Sequence, residues 1–151
     1  MPTRYKGTTH EVLALDTIIK LTRSLNSVQA RLTPQLHKDF GITESQFGVL
    51  EALLHLGPMS LGQLCQKILR SGSNLTTIVD NLERDGLVTR VRDDTDRRVQ
   101  IAELTEKGRA LITEAFPAHV SRVTSVMSVL TADEQHELGR ICRKLGTATI
   151  A

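Results

Sequence analysis

Residues 61–104, LGQLCQKILRSGSNLTTIVDNLERDGLVTRVRDDTDRRVQIAEL, constrain the fold more tightly than any other part of the chain. Ser60 is placed to cap a helix whose apolar face is Leu61, Leu64, Cys65 and Ile68, steps that keep these residues on one side of a 3.6-residue helix. After a break around Ser71, Gly72 and Ser73, a second helix has its buried stripe at Leu75, Ile78, Val79 and Leu82, and Gly86 suits the position just past its end. Two helices joined by so short a glycine-containing turn read as a helix-turn-helix. Residues 87–92 and 99–104 then alternate or carry β-branched side chains. They flank Asp93-Asp94-Thr95-Asp96-Arg97-Arg98 and so predict a hairpin with a long polar tip, a wing beside the helix pair.

The flanks are helical. Ile18, Leu21, Leu25, Val28 and Leu32 form one stripe, and Val12, Leu15 and Ile19 widen it. Pro34, after Thr33, either kinks this helix or opens a new one with Thr33 as N-cap. Thr43 and Gln46 form a capping box for a helix with apolar residues on most sides (Phe47, Val49, Leu50, Leu53, Leu54, Leu56), the mark of a buried central helix, which Gly57-Pro58 stops. Thr105 caps a long helix whose stripe runs through Ile112, Phe116, Val120, Val123, Met127 and Leu130, across an expected bend at Pro117. Thr131 and Glu134 open a last helix, by a capping box, with Leu138, Ile141, Cys142 and Leu145 on one face. The expected architecture is mainly α with a small β-hairpin wing. A winged helix-turn-helix lobe occupies residues 42–106, and helical dimerisation regions at 10–40 and 109–147 complete one unit spanning 1–151. The outer helices carry more apolar surface than the central lobe can cover, so a symmetric homodimer is expected.

Bulk properties narrow the function. At 151 residues the chain can bury a real core, and no run approaches the apolar length of a membrane span. The N-terminus MPTRYKGTTHE lacks the apolar centre of a signal peptide, so a cytoplasmic protein is expected. A net charge of +2 means that any basic surface is local, and 3% aromatic residues argue against stacking platforms for single-stranded bases. Cys65 and Cys142 make neither a disulfide framework nor a metal motif. No nucleophile elbow, phosphate loop, HExxH or paired catalytic carboxylate is present, so neither an enzyme nor a cofactor is expected.

The second helix of the pair, opposite its apolar stripe, offers Ser73, Thr77, Asp80 and Arg84, with Asn74, Thr76 and Asn81 on its flanks. Short hydrogen-bonding side chains crowded toward a helix N-terminus suit entry into the major groove, where Asn and Thr read base edges. The bland alternative is a solvated helix face. The hairpin shifts the balance. Arg90, Arg92, Arg97 and Arg98 crowd together, but Asp93, Asp94 and Asp96 lie among them. A purely electrostatic grip on phosphate would not carry those acids; an aspartate that fixes an arginine for insertion into a groove would. Candidate DNA contacts are therefore Ser71, Ser73, Asn74, Thr76, Thr77, Asn81, Arg84, Arg90, Asp96, Arg97 and Arg98. A winged-helix module that binds protein instead remains the competing class.

The run Leu75-Thr-Thr-Ile-Val-Asp-Asn-Leu-Glu-Arg-Asp-Gly-Leu-Val-Thr-Arg90, then Asp96-Arg97-Arg98 and Leu104-Thr-Glu-Lys-Gly108, resembles the MarR family of bacterial regulators; Ile42-Thr43, Gln46, Val49-Leu50 and Gly57-Pro58 fit the same pattern. The resemblance implies a homodimer on a palindromic duplex operator, usually a repressor released by a small ligand or by oxidation. It further implies that Arg98 enters the minor groove with Asp96 as its partner, and that Arg97 makes a neighbouring contact. A phenolic or aromatic effector would occupy a cleft between the dimerisation helices and the DNA-binding lobe, with Arg23, His37 and His55 as candidate polar contributors. An alternative trigger is oxidation of Cys65, whose helix supports the recognition helix. The histidines (His10, His37, His55, His119, His136) include no pair at i, i+4 spacing, so no metal is expected.

Overall fold

The computed structural model describes residues 3–68 and 72–148, leaving aside the side chains at 72–73. Its elements run α1 (Thr9–Phe40), α2 (Glu44–Leu56), β1 (Met59–Ser60), α3 (Leu61–Ile68), α4 (Gly72–Arg84), β2 (Val88–Arg92), β3 (Gln100–Leu104), α5 (Glu106–Met127) and α6 (Ala132–Thr147). Helix α1 is continuous through Pro34, so Thr33 starts no new helix; Thr8 and Glu11 close a capping box at its head, and Gly41 at φ 68° ends it. Thr43 and Gln46 form the expected box at the start of α2. Helix α5 likewise passes through Pro117, but it ends at Met127, so Leu130 lies past the helix and outside its stripe. At α6 only the Thr131 half of the expected box forms, its hydroxyl accepting from the Glu134 amide at 3.1 Å.

The hairpin belongs to a three-stranded antiparallel sheet of order β1-β3-β2. Strand β1 is an addition to the sequence reading: Met59 pairs with Ala102 and Ser60 with Ile101. Ser60 also caps α3, exchanging hydrogen bonds with Gln63 at 3.0 and 3.1 Å, so one residue ends the strand and starts the helix. The β2–β3 register runs from Val88 opposite Leu104 to Arg92 opposite Gln100.

Two glycines hold the wing against the helices. Gly86, at φ 74°, allows the Leu87 amide to reach back to the Leu82 carbonyl at 2.9 Å, a Schellman closure of α4. The first turn of α5 is laid directly on this turn: the Thr105 hydroxyl donates to the Gly86 carbonyl at 2.6 Å, and the Thr105 amide donates to the Leu87 carbonyl at 3.1 Å. A Cβ on Gly108 would lie 1.9 Å from the Leu87 carbonyl oxygen, so only glycine permits this approach.

The core sits where α2 crosses the helix pair and the sheet. Val49, Leu50 and Leu53 of α2 meet Leu64 of α3, Leu75, Val79 and Leu82 of α4, Val88 and Ala102 of the sheet, and Ile112 and Ala115 of α5. Helix α1 contributes only Leu36, and α6 buries no residue at all. Instead Leu13, Leu15, Ile18 and Leu25 of α1 and Leu138, Ile141 and Leu145 of α6 are exposed. An ion pair between Arg122 and Asp39 ties α5 to the end of α1. No described helix is long and apolar enough to cross a membrane.

Candidate nucleic-acid interface

Leu75, Val79 and Leu82 anchor α4 in the core, which turns its other side outward. Asn74, Thr76, Thr77 and Arg84 are exposed and Asn81 is half-buried, so these candidates share one accessible helix. Ser71 and the Ser73 side chain lie outside what the structure describes. The Arg84 side chain is 71% exposed and meets Asp85 through one long contact at 3.4 Å, which restrains it little.

The wing tip is ordered from within. The Asp93 amide donates to the Val99 carbonyl at 2.9 Å and the Val99 amide to the Asp96 carbonyl at 3.0 Å, closing the turn. Asp96 then receives Arg98 on both carboxylate oxygens, Nε to Oδ1 at 3.1 Å and Nη2 to Oδ2 at 3.2 Å, and the Arg98 amide also donates to Oδ1 at 3.1 Å. This is the pairing anticipated from the sequence. Those hydrogen bonds, the side-chain ones first and the backbone one second, hold the Asp96 carboxyl below its ordinary range. The Arg98 side chain nevertheless stays 92% exposed. A guanidinium held in a bidentate fork yet projecting into solvent is preorganised for an external acceptor. Arg97 is exposed beside it, and its carbonyl accepts from Arg92 Nη1 at 2.8 Å, which spends one donor of Arg92 on the wing itself.

Arg90 is placed differently. Its guanidinium folds back onto α4, meeting Asp80 at 2.6 Å and Glu83 at 3.2 Å, and its side chain is only 21% exposed. The hydrogen bond to Glu83 is the main reason that the Arg90 proton is held more tightly than usual, and the same bond depresses the Glu83 carboxyl.

The effector candidates do not converge. His55 lines a cavity of about 600 Å³ between α2, the end of α3 and α5, together with Phe47, Glu51, Lys67 and His119. Arg23 borders a separate groove on α1, and His37 is exposed and lines neither. His119 is the residue that sequence reading passed over. Its ring centroid lies 4.4 Å from that of Phe47, while His55 sits edge-on to Phe116 at 4.7 Å. Burial, the largest effect, moves the His119 imidazole below its ordinary value of 6.5, against the pull of Glu51 and Glu44. Its buried Nδ1 has no hydrogen-bond partner among the described residues. The one available signal was its spacing from Phe116, which puts both rings on one face of α5. Cys65 is half-buried and packs against the core, and Cys142 is exposed on α6. Among the described residues, no group of His, Cys, Asp or Glu side chains is arranged to hold a metal ion.

Comparison with known proteins decides the family. Residues 40–99 match the MarR family. The chain is 35% identical to the HTH-type transcriptional regulator MhqR of Bacillus subtilis over 133 residues, covering 88% of this chain and 91% of the relative. It belongs to the MarR family. A second MarR-type relative, the transcriptional repressor MprA of Escherichia coli, is 31% identical over 147 residues, covering 94% of this chain and 83% of that one. Among solved structures, the MarR family regulator Sco3205 of Streptomyces coelicolor, determined in complex with DNA, superposes with a TM-score of 0.82 at 26% identity, covering 97% of this chain and 91% of that one. The MarR relatives are transcriptional regulators, not enzymes, and the chain is a DNA-binding transcriptional regulator of the same family.

Proposed function

We propose that the chain is a homodimeric repressor that grips a palindromic duplex operator and is released by a small aromatic or phenolic ligand. The observation that carries the DNA-reading part is the Arg98–Asp96 fork, ordered on both carboxylate oxygens yet exposed to solvent. In this reading Asn74, Thr76, Thr77 and Asn81 enter the major groove and Arg98 and Arg97 the flanking minor groove, whose negative potential favours an inserted guanidinium. Arg84 meets phosphate.

The pairing of two chains is supported by the apolar residues of α1 and α6 that their own chain leaves uncovered. Contiguous apolar faces of this kind mark an interaction surface, and a two-fold axis would set two recognition helices one turn of duplex apart, about 34 Å. The MarR-type relative MprA, a repressor, supports the sign of regulation. The cavity supports the release step. It combines the Phe47 ring with the His119 Nδ1, which has no partner among the described residues, and reaches Lys67 in the last turn of α3, the helix that precedes α4 in the chain. An occupant there bears on the element that positions the recognition helix.

Selection of bound duplexes from a random pool tests this directly. The expected product is an inverted repeat bound by two chains and released by an aromatic acid or phenol. Recovery of no enriched duplex, or of a site without two-fold symmetry, contradicts the proposal.

A further inference from the structure

Arg98 lies at the wing tip and Arg90 midway along β2, and both are engaged by carboxylates. In Arg98 the partner is local and the guanidinium faces solvent; in Arg90 the partners belong to another element. The Arg90 amide and Nε both donate to Glu83 Oε2, at 3.1 and 3.4 Å, and Nη2 reaches Glu83 Oε1 at 3.2 Å and Asp80 Oδ1 at 2.6 Å. Asp80 and Glu83 lie three residues apart on α4, so one planar guanidinium spans nearly a full turn of the recognition helix. Arg90 itself is paired with Ala102 in the centre of the β2–β3 ladder, which makes its own backbone part of the sheet.

We propose that Arg90 is a positioning residue that locks the wing to the recognition helix, and that it makes no DNA contact of its own. The inference rests on the DNA-binding reading above. A wing arginine and a recognition helix must enter adjacent grooves together, so the angle between β2 and α4 determines whether both fit. The Gly86 turn joins them at one end, and the Arg90 fork supplies the second point that prevents rotation about that turn. The fork also masks two carboxylates that would otherwise face phosphate from the side of α4.

A mutational cycle on the full-length protein separates bracing from contact. Arg90→Gln, Asp80→Asn with Glu83→Gln, and all three changes together are each measured against a duplex selected by the parent and against a mixed-sequence duplex. Bracing predicts that the first two variants each lose about ten-fold in preference for the selected duplex, the scale of one charge-assisted hydrogen bond, and that the triple variant is no worse than either. Removing two acids beside DNA would by simple electrostatics tighten binding; bracing predicts the opposite on the selected duplex. The proposal is overturned if the acid-side variant binds both duplexes more tightly and Arg90→Gln costs the same in that background as in the parent. That result, with a salt slope reduced by about one, identifies Arg90 as a phosphate contact. A parent that binds neither duplex overturns the DNA-binding reading itself, an outcome distinct from an additive cycle. The acid-side variant leaves Arg90 intact, so its preference still decides the sign if Arg90→Gln does not fold.

Discussion

Leu50 in α2 and Leu138 in α6 are both leucines on helices with a threonine N-cap, yet the first is wholly buried and the second is 40% exposed. The difference extends to the regions they stand for. The lobe from α2 to the head of α5 covers its apolar stripes with its own helices and sheet, so its geometry is determined within one chain. The terminal helices leave theirs open. A DNA-reading unit needs its side chains fixed to a fraction of an ångström, whereas a pairing unit needs a surface that another copy can complete. In the proposed function the lobe carries the reading and the termini carry the pairing.

The largest expected effect comes from truncating a side chain in each region. Leu50→Ala should cost about 2–5 kcal/mol in urea unfolding at every protein concentration, the range for a large-to-small change in a closed core. Leu138→Ala should cost less, and by an amount that depends on protein concentration, because in the proposed dimer its burial is supplied by association. Equal, concentration-independent losses would erase the distinction. Next comes Gly108→Ala, which drives a methyl group into the Leu87 carbonyl and should cost about 1–3 kcal/mol, with weaker DNA binding as the wing shifts. Gly139, on α6, has nothing within 4 Å of an added Cβ, so Gly139→Ala should leave the melting temperature unchanged or raise it.

The smallest effect lies at the seam. His119 is held below its ordinary value of 6.5 in the folded chain, chiefly by burial. The unfolded chain therefore takes up a proton first as pH falls below about 6.5, so stability present above that pH is lost on acidification toward the lower folded value. His119→Gln should flatten this part of a melting-temperature profile. An unchanged profile would show that His119 does not titrate differently on folding.

How far each feature could be read from the sequence follows the same division. The stripes of α3 and α4 and the Gly86 stop were legible because local spacing determines them and the lobe that buries them is continuous in sequence. The residues of the wing suggested only that one aspartate fixes one arginine; that the pair is Asp96 with Arg98 came from the resemblance to the MarR family, since three acids and four arginines lie too close together for spacing to choose among them. Arg90 was grouped with the other wing arginines because its partners come from α4, and the nearer one, seven residues away, is reached only when the wing folds back on the helix. Strand β1 was missed since a two-residue strand has no period to detect; it exists because β3 offers an edge. The continuity of α1 through Pro34 could not be decided locally, because the loss of one amide donor fits either outcome. His55 and His119 come from helices far apart in the chain, and only the packing of α5 on α2 brings them to one cavity.

The wing is proposed to read DNA through an arginine preset by its neighbouring aspartate. Binding of Arg98→Ala to the duplex selected by the parent, measured by fluorescence anisotropy at one fixed salt concentration, decides whether it does. The expected loss of affinity is about ten-fold or more, as for a charged group removed from a groove. An Arg98→Ala protein that binds that duplex as tightly as the parent would contradict it.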